Sequence, residues 1–311
     1  MSITREAINR AAHRIAPYIR RTPVVDVMIE GVAQPVTLKL ELLQHSGSFK
    51  ARGAFNNLLG ASVGAAGVAA ASGGNHGAAV AYAARELGHK ATIFVPEISS
   101  PAKVRRIAFY GAGIVQKGAN YYEALALCES HIADKGALSV HAYDTEATLE
   151  GQGTLGREIE DQAPGLDTLL VAVGGGGLIG GIAAWYQSNI KIAGVEPETC
   201  NALHASLAAR DRVTVKPSGL AADSLGASSV GRLMFEIARD HITEVALVSD
   251  DDIRNAQRKL WRDLQIIAEP GGAAAFAALL SGAYRPEHDE RVGVVICGAN
   301  TPLEIFGQLF A

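Results

Sequence analysis

Short apolar runs and helical stretches alternate along most of the 311 residues. The apolar runs predict strands over residues 36–41, 68–71, 91–95, 114–116, 138–141, 169–173, 192–195, 245–248 and 292–296. Helical spacing predicts helices over about residues 4–16, 75–87, 101–110, 121–134 and 146–161, and a further helix that ends near residue 187. Strands that alternate with helices form parallel βαβ units, so the predicted fold class is α/β.

The strands fall into two sets, one in each half of the chain. We therefore expect two open α/β layers with mainly parallel, twisted sheets that face a common cleft. The least regular segment covers residues 201–230, and no internal repeat or long linker is visible.

Composition and charge exclude several classes of partner. The 28 basic and 32 acidic residues give a formal net charge of -4 without runs of one sign, so no surface for nucleic acid or an anionic membrane is expected. The chain lacks the roughly 18–20 apolar residues of a membrane helix and the apolar region of a signal peptide. The cysteines at positions 128, 200 and 297 have no disulfide or metal-ligand spacing. We expect a cytoplasmic protein with a small-molecule partner.

Residues 46–54 place Lys50 between a Ser/Gly loop and a helical run. One interpretation is structural: Ser48 caps the helix, and Lys50 is a solvated residue of its first turn. The other is chemical, because an amine that reacts with an electrophile needs partial desolvation and a fixed approach. The stretch by itself leaves both interpretations open.

A first glycine loop, residues 71–77, joins a predicted strand to a helix. Open α/β sheets bind ligands at such strand ends. The free N–H groups at a helix start favour an anion such as a carboxylate. The alternative is that Ser72 or Asn75 only caps the helix.

A second loop contains four consecutive glycines, Gly174 to Gly177. Their large entropic cost favours backbone amides that surround a ligand, and a phosphate is the natural occupant. The same loop satisfies GxGxxG through Gly180, and Glu196 follows at the end of the next predicted strand. A dinucleotide site is therefore an alternative.

Two further loops are less distinctive. Cys297 follows the last predicted strand and is either an inert buried thiol or a hydrogen-bond partner for a ring nitrogen. Residues 150–154, Glu-Gly-Gln-Gly-Thr, are interpreted as a helix start.

Taken in order, these motifs resemble the fold-type II pyridoxal-phosphate (PLP) enzymes, in particular the threonine/serine dehydratase and serine racemase family. The resemblance spans residues 20–300 and rests on Lys39-Leu40-Glu41, Gly47-Ser48-Phe49-Lys50, Arg52-Gly53-Ala54, Ser72-Gly73-Gly74-Asn75-His76, Gly151-Gln152-Gly153-Thr154, Gly174 to Gly177, Gly194-Val195-Glu196-Pro197 and Cys297-Gly298-Ala299-Asn300. It implies a tryptophan synthase β-like fold with the cofactor in the interdomain cleft. Residues 1–62 and 145–311 would form a large PLP-binding domain, and residues 63–144 a small mobile domain.

The resemblance also implies a role for each matching residue. Lys50 would bind the cofactor covalently and move the substrate Cα proton. Cofactor contacts are implied for Phe49 at the ring, Asn75 at the ring hydroxyl, Cys297 at the pyridine nitrogen, and Gly174, Gly175, Gly176, Gly177 and Leu178 at the phosphate. Contacts to the substrate carboxylate are implied for Ser72, Gly73, Gly74, Asn75 and His76.

The chemistry of Cys297 favours elimination. PLP is an electron sink, and enzymes that hold a long-lived carbanion give its ring nitrogen an acidic partner. A neutral thiol, where the family usually has serine and sometimes cysteine, is no such partner. Elimination needs less of the sink because the departing β-hydroxyl takes the electrons. We therefore predict α,β-elimination of a small β-hydroxy amino acid, such as L-threonine or L-serine, to a 2-oxo acid and ammonia.

Three positions depart from the family pattern. Gly73 stands where the racemase has a second serine that is thought to act as an acid/base, so racemisation is expected to be poor. Ala202 stands where metal-binding members have an aspartate, so Glu196 is either a weak ligand for Mg²⁺ or Ca²⁺ or a strand-end hydrogen-bonding residue. Residues 219–226 differ near the exposed edge of the cofactor, which leaves the substrate open.

Other functions are kept as alternatives. They are a racemase, a lyase for another β-hydroxy amino acid such as 3-hydroxyaspartate, a β-replacement synthase, an NAD-binding protein and a non-catalytic PLP- or phosphate-binding protein. His76 disfavours the synthase, and Lys50 disfavours the non-catalytic protein. The family is mostly dimeric, so a homodimer without an appended effector domain is expected by analogy.

Overall fold

The computed structural model describes residues 3–310. The strands are β1 (Val24–Val27), β2 (Val36–Lys39), β3 (Val68–Ala71), β4 (Ala91–Val95), β5 (Gly113–Gln116), β6 (Leu138–Ser139), β7 (Thr168–Ala172), β8 (Lys191–Pro197), β9 (Glu244–Val248) and β10 (Val292–Val295). They form a six-stranded sheet, in the order β1-β2-β10-β7-β8-β9, and a four-stranded sheet, in the order β5-β4-β3-β6. Only β1 runs antiparallel to its neighbour among these described strands. The predicted α/β class and parallel-dominated sheets are confirmed.

The helices cover the faces of the two sheets. They are α1 (Arg5–Ile15), α2 (Lys50–Leu59), α3 (Asn75–Glu86), α4 (Pro101–Phe109), α5 (Tyr121–Lys135), α6 (Glu146–Gln162), α7 (Gly177–Tyr186), α8 (Ala202–Ala209), α9 (Ala222–Leu225), α10 (Arg232–His241), α11 (Asp250–Leu264), α12 (Pro270–Ser281) and α13 (Leu303–Gly307). Short 3-10 helices lie at Ala16–Tyr18, Glu41–Leu43, His45–Gly47 and Gln308–Phe310. Among these described helices, none combines the length and apolar composition that a bilayer crossing requires.

The largest core lies around the six-stranded sheet. Helices α7 and α12 are apolar on all sides and almost wholly buried, as expected of helices enclosed within a protein. Helix α1 instead buries one face, which includes Ile8, Ala11 and Ile15. Parallel strands with both faces covered place their carboxyl ends at one edge of the sheet, where the loops that carry the site begin.

Two sheets are present, but they do not follow the two halves of the chain, because β1 and β2 join the six-stranded sheet. The four-stranded sheet uses residues 68–139, and the six-stranded sheet uses residues 24–39 and 168–295. The predicted domains, residues 1–62 with 145–311 and residues 63–144, and the mobility of the smaller domain stay predictions.

Some local expectations were wrong. Residues 150–154 lie in the middle of α6 and do not start a helix. Strand β1, which was not predicted, pairs with β2. The segment 201–230 is irregular as expected, apart from the short helices α8 and α9. Helices α10, α11 and α12 were also not predicted, although they are 10, 15 and 12 residues long. Only the shortest missed elements, such as β1 and α9, have too few residues for a clear periodicity.

Candidate active site

Lys50 is the first residue of α2. Its Nζ donates a hydrogen bond to the Ala142 carbonyl oxygen at 2.9 Å and lies 5.0 Å from the centre of the Phe49 ring. Burial lowers the pKa of the Lys50 amine to about 8, against the opposing effects of Cys297 and Glu269. Lys50 is half-buried, so its amine is partly desolvated and fixed in position, as the chemical interpretation requires.

The structural interpretation of Ser48 is wrong. Phe49 occupies the N-cap position of α2 and makes no side-chain cap. The Ser48 hydroxyl is buried and has no hydrogen-bond partner within the described part of the chain. Its backbone instead forms a β-bridge with Gly298, while the Phe49 N–H donates to the Cys297 carbonyl at 3.1 Å. These bonds tie the lysine loop to the end of β10.

Buried ion pairs hold α2 in place. Arg52 is fully buried and pairs with Glu41 at 2.6 Å and with Glu158 at 3.0 Å. Lys39 pairs with Glu158 at 2.5 Å. The charged residues of the motifs around Lys50 therefore position the helix that carries it.

The glycine loop forms a tight cradle at the start of α7. Gly176 has φ +88°, in the left-handed region that favours glycine. A Cβ on Gly174 would approach the Leu225 backbone at 3.1 Å, one on Gly176 would overlap Met234, and one on Gly177 would lie 2.9 Å from the Tyr143 Cα. Side chains are excluded there, and the first N–H groups of α7 have no acceptor within the helix. The cradle can hold an anion through its backbone.

Asn75 begins α3 and is held by two partners. Its Nδ2 donates to Glu269 Oε1 at 2.5 Å, and its Oδ1 accepts from Asn300 Nδ2 at 2.6 Å. Asn300 also donates to the Ser46 carbonyl at 2.8 Å. This network brings together the lysine loop, the start of α3 and the loop after β10.

In the loop before α3, Ser72 and His76 make different kinds of contact. The Ser72 hydroxyl accepts from the Gly74 N–H at 3.2 Å. His76 is buried, and its Nε2 bonds the Val140 carbonyl at 2.7 Å. Burial is the main reason that the pKa of His76 falls to about 3, so this ring is neutral and turned away from the loop. Only the His76 backbone stays available to a carboxylate.

Cys297 lies two residues after the end of β10 and is buried. Its Sγ lies 3.4 Å from the Gly271 carbonyl oxygen. Burial, with the Glu269 charge, raises the pKa of the Cys297 thiol. The thiol is therefore neutral, as the elimination argument assumes.

Three tyrosines lie near the cradle. The Tyr143 ring packs on Gly175. Tyr121 and Tyr122 start α5 with ring centroids 5.8 Å apart. They are 38% and 60% exposed, and the Tyr122 hydroxyl bonds the Ser228 hydroxyl. Burial, followed by the nearby Tyr143, raises the pKa of Tyr121 to about 12. These three tyrosines, Tyr121, Tyr122 and Tyr143, are called the tyrosine wall below.

Glu196 lies apart from this cleft chemistry. Its two carboxylate oxygens accept hydrogen bonds from the Leu203 and His204 N–H groups, both at 2.8 Å. Burial raises the pKa of Glu196 to about 7. Within residues 3–310, no group of three or more His, Cys, Asp or Glu side chains could hold a metal ion. The geometry agrees with the strand-end role, and a metal at Glu196 stays a prediction.

Sequence reasoning missed Glu269 and the tyrosine wall. Glu269 is the only charged residue between Gln265 and Ser281, and an isolated acidic residue in an apolar stretch was a usable signal. The tyrosines carried no motif. The Ala142 contribution is a backbone carbonyl, which no side-chain pattern reveals.

The fold, the Lys50 amine and the glycine cradle together indicate an enzyme with a phosphorylated cofactor. Comparison with known proteins agrees with this. Residues 15–298 match the model of the family described as pyridoxal-phosphate dependent enzyme. The chain belongs to this family.

Similar proteins include both dehydratases and racemases. Phenylserine dehydratase from Ralstonia pickettii is 38% identical over 306 residues, which cover 95% of this chain and 92% of that protein. Catabolic L-threonine dehydratase from Staphylococcus aureus is 37% identical over 308 residues, with 95% and 88% covered. The solved maize serine racemase has a TM-score of 0.94 at 31% identity, with 100% and 97% covered. The solved threonine deaminase from T.th. has a TM-score of 0.89 at 33% identity, with 96% and 99% covered.

These findings confirm the predicted PLP-dependent enzyme of the dehydratase and racemase type. They leave the NAD-binding alternative without support. The residues present also fit PLP: a cradle without side chains suits its phosphate, and the desolvated Lys50 amine suits its aldehyde. Two consecutive residues link the cradle to the amine. The Ala142 carbonyl accepts a hydrogen bond from the Lys50 amine, and the Tyr143 ring packs on the cradle.

Proposed function

We propose that the protein catalyses α,β-elimination of a β-hydroxy amino acid, such as L-threonine or L-serine. The substrate first loses water. Hydrolysis of the resulting imine then releases ammonia, so the net products are a 2-oxo acid and ammonia. The observation that carries this proposal is the desolvated Lys50 amine beside a side-chain-free glycine cradle.

The cofactor would be held by residues from three loops. Gly174, Gly175, Gly176, Gly177 and Leu178 would bind the phosphate with backbone N–H groups, while Phe49, Asn75 and Cys297 would contact the ring. PLP, when bound, supplies an electron sink for the bond changes at the substrate Cα. The neutral Cys297 thiol keeps that sink modest, which suits the departure of a hydroxyl.

Lys50 would be the residue that binds the cofactor and moves the Cα proton. A pKa of about 8 leaves a usable fraction of the amine unprotonated near neutral pH. The Ala142 carbonyl fixes the direction of the amine. One base on one face of the substrate is enough for elimination.

The substrate carboxylate would lie at the N-terminus of α3. Ser72, Gly73, Gly74, Asn75 and His76 would surround it, chiefly with backbone N–H groups that favour an anion. The Ser72 hydroxyl already bonds the Gly74 N–H, which supports a preformed turn in this loop.

A second candidate substrate carries an aromatic group on Cβ, as in phenylserine. The tyrosine wall favours it, because aromatic rings pack well on one another and the wall offers no charged side chain. The relative from Ralstonia pickettii is named phenylserine dehydratase.

Racemisation is the other candidate activity, since relatives include serine racemases. Gly73 disfavours it.

Assembly and location also remain proposals. We propose a homodimer, which the exposed apolar side chains of Met28, Leu303 and Ile305 support. Static light scattering tests it, and a monomeric mass would contradict it. The cytoplasmic location stays a prediction from the sequence.

The test is a substrate panel assayed for 2-oxo acid release. It contains L-serine, L-threonine, D-serine, L-threo-phenylserine and 3-hydroxyaspartate, with Lys50→Ala as the control. We expect release from at least one β-hydroxy amino acid, and neither release nor the visible absorption band of bound PLP with Lys50→Ala. If the wild-type protein shows that band but releases no 2-oxo acid from any member, the dehydratase proposal is wrong.

A further inference from the structure

Glu269 is a buried carboxylate at the wall of the cleft. It precedes Pro270, the first residue of α12, and is only 6% exposed. Its Oε1 accepts from Asn75 Nδ2 at 2.5 Å. A Cβ on Gly298 would overlap that same oxygen, so glycine at this position leaves room for the carboxylate.

The partners of Asn75 determine which way its amide points. Asn300 Nδ2 can only donate, because an amide nitrogen does not accept, so it requires the oxygen end of Asn75. An ionised Glu269 can only accept, so it requires the nitrogen end of Asn75. Two independent bonds therefore exclude the flipped amide. One of the two Nδ2 hydrogens is left for a third partner.

Charged and titratable groups from several elements surround this carboxylate. Lys50, Lys103 and Arg106 each favour its ionised form, while burial is the larger effect and raises the pKa of Glu269. The groups near Lys50 are Cys297 and Glu269, together with His76 and His141. Of these, Glu269 is the acidic side chain that a basic Lys50 nitrogen can attract.

We propose that Glu269 is a positioning residue of the cofactor site. Its carboxylate fixes the Asn75 amide with one N–H free for an oxygen on the cofactor ring, and its negative charge stabilises a proton on the Lys50 nitrogen. The inference rests on the proposed function for the presence of PLP in the cleft. It does not depend on which amino acid is the substrate.

The first test removes the charge of Glu269 and keeps the shape of its side chain. In the PLP-loaded Glu269→Gln variant, the glutamine oxygen still accepts from Asn75. Loss of a nearby opposite charge changes a pKa by about one unit, so the pH midpoint of the visible band should fall by about one pH unit. Glu290→Gln is the matched control, because Glu290 is also buried, accepts from the Tyr284 hydroxyl at 2.7 Å and lies at the other end of β10.

A second variant moves the carboxylate and keeps its charge. Gly298→Ala forces Glu269 away from Asn75. Loss of one charge-assisted hydrogen bond is worth roughly tenfold in affinity, so the Kd for PLP, measured by equilibrium dialysis, should rise about tenfold. This variant keeps the inference testable if Glu269→Gln fails to fold.

The outcomes separate this inference from the proposed function. An unchanged band midpoint in folded Glu269→Gln, an equal shift in Glu290→Gln, or a wild-type Kd in Gly298→Ala would overturn the role of Glu269. If the midpoint and Kd move as expected but no amino acid releases a 2-oxo acid, the role of Glu269 stands and the dehydratase proposal fails.

Discussion

Arg52 holds Glu41 through two parallel hydrogen bonds, from Nε to Oε1 at 2.6 Å and from Nη2 to Oε2 at 3.0 Å. Neither side chain is exposed to solvent. Arg52 lies two residues after Lys50, so the pair fixes the start of α2 against the segment that follows β2. Planar bidentate pairing gives a definite orientation, which a flexible ammonium would not give.

Replacing Arg52 with methionine should destabilise the protein strongly. Glu41 would stay buried without its partner, and breaking a buried ion pair costs about 3–5 kcal/mol. Arg52→Lys keeps the charge but loses the bidentate geometry, so an intermediate loss is expected. Urea denaturation of the apoprotein measures both free energies of unfolding. Arg254→Met, which breaks an exposed pair with Asp251, is the control, and an equal loss there would contradict the argument.

Gly176→Ala should prevent cofactor binding. The residue has φ +88°, and an added Cβ would overlap the Met234 side chain, so either that side chain or the cradle must shift. Gly136→Ala is the matched control, because Gly136 has φ +69° but no atom within 4 Å of an added Cβ. Both variants bear the cost of a left-handed alanine, about 1 kcal/mol. Only Gly176→Ala should lose PLP in equilibrium dialysis, and similar affinities in the two variants would refute the cradle.

The low pKa of Lys50 predicts how the rate of cofactor uptake by the apoprotein depends on pH. An amine attacks an aldehyde in its neutral form, which predominates above about pH 8 for Lys50 instead of above 10.5. The rate of PLP incorporation, followed by the visible band, should therefore rise with pH and level off above about pH 8. Nα-acetyl-lysine is the reference amine, and its rate should still rise beyond pH 10. A Lys50 rate that also rises beyond pH 10 would show a solvated amine.

Local periodicity explains how much of the fold was predictable. Strands β3 and β4 have the predicted bounds, and α3, α4 and α6 end within one residue of them. Each is bounded by glycine, proline or a polar turn, so sequence neighbours determine its ends. Elements such as β1 and α9 are only four residues long, and their conformation depends on tertiary partners.

The site shows the same contrast. The four glycines stand out locally, since their entropic cost is unusual for a purely structural role. Lys50 does not stand out alone, and its assignment came from the ordered set of motifs. Glu269 meets Asn75 across 194 residues, and such a meeting follows from sheet order, which the sequence pattern does not specify. His76 also looked like a cleft residue, but its ring bonds Val140 in the core. Which side of a helix start faces the cleft depends on packing.

Ser99 occupies the space beside Gly73. An added Cβ on Gly73 would overlap the Ser99 hydroxyl, so the second serine of the racemase pattern fits here only if the Ser99 side chain moves. Gly73→Ser alone should distort the loop that is proposed to bind the substrate carboxylate and raise KM about tenfold, with a smaller effect on kcat. An unchanged KM would contradict this steric argument.

The double variant Gly73→Ser with Ser99→Ala should relieve that conflict. Removing the Ser99 hydroxyl makes room for the new side chain, so KM should return toward the wild-type value. The variant also gains a hydroxyl in the carboxylate loop, where the racemase pattern has its second acid/base, so formation of D-serine from L-serine should rise relative to 2-oxo acid release. Chiral chromatography measures this ratio, with Ser99→Ala alone as the control. If D-serine formation is unchanged although KM recovers, a serine at position 73 is insufficient for racemisation, and Gly73 is not the reason that elimination prevails.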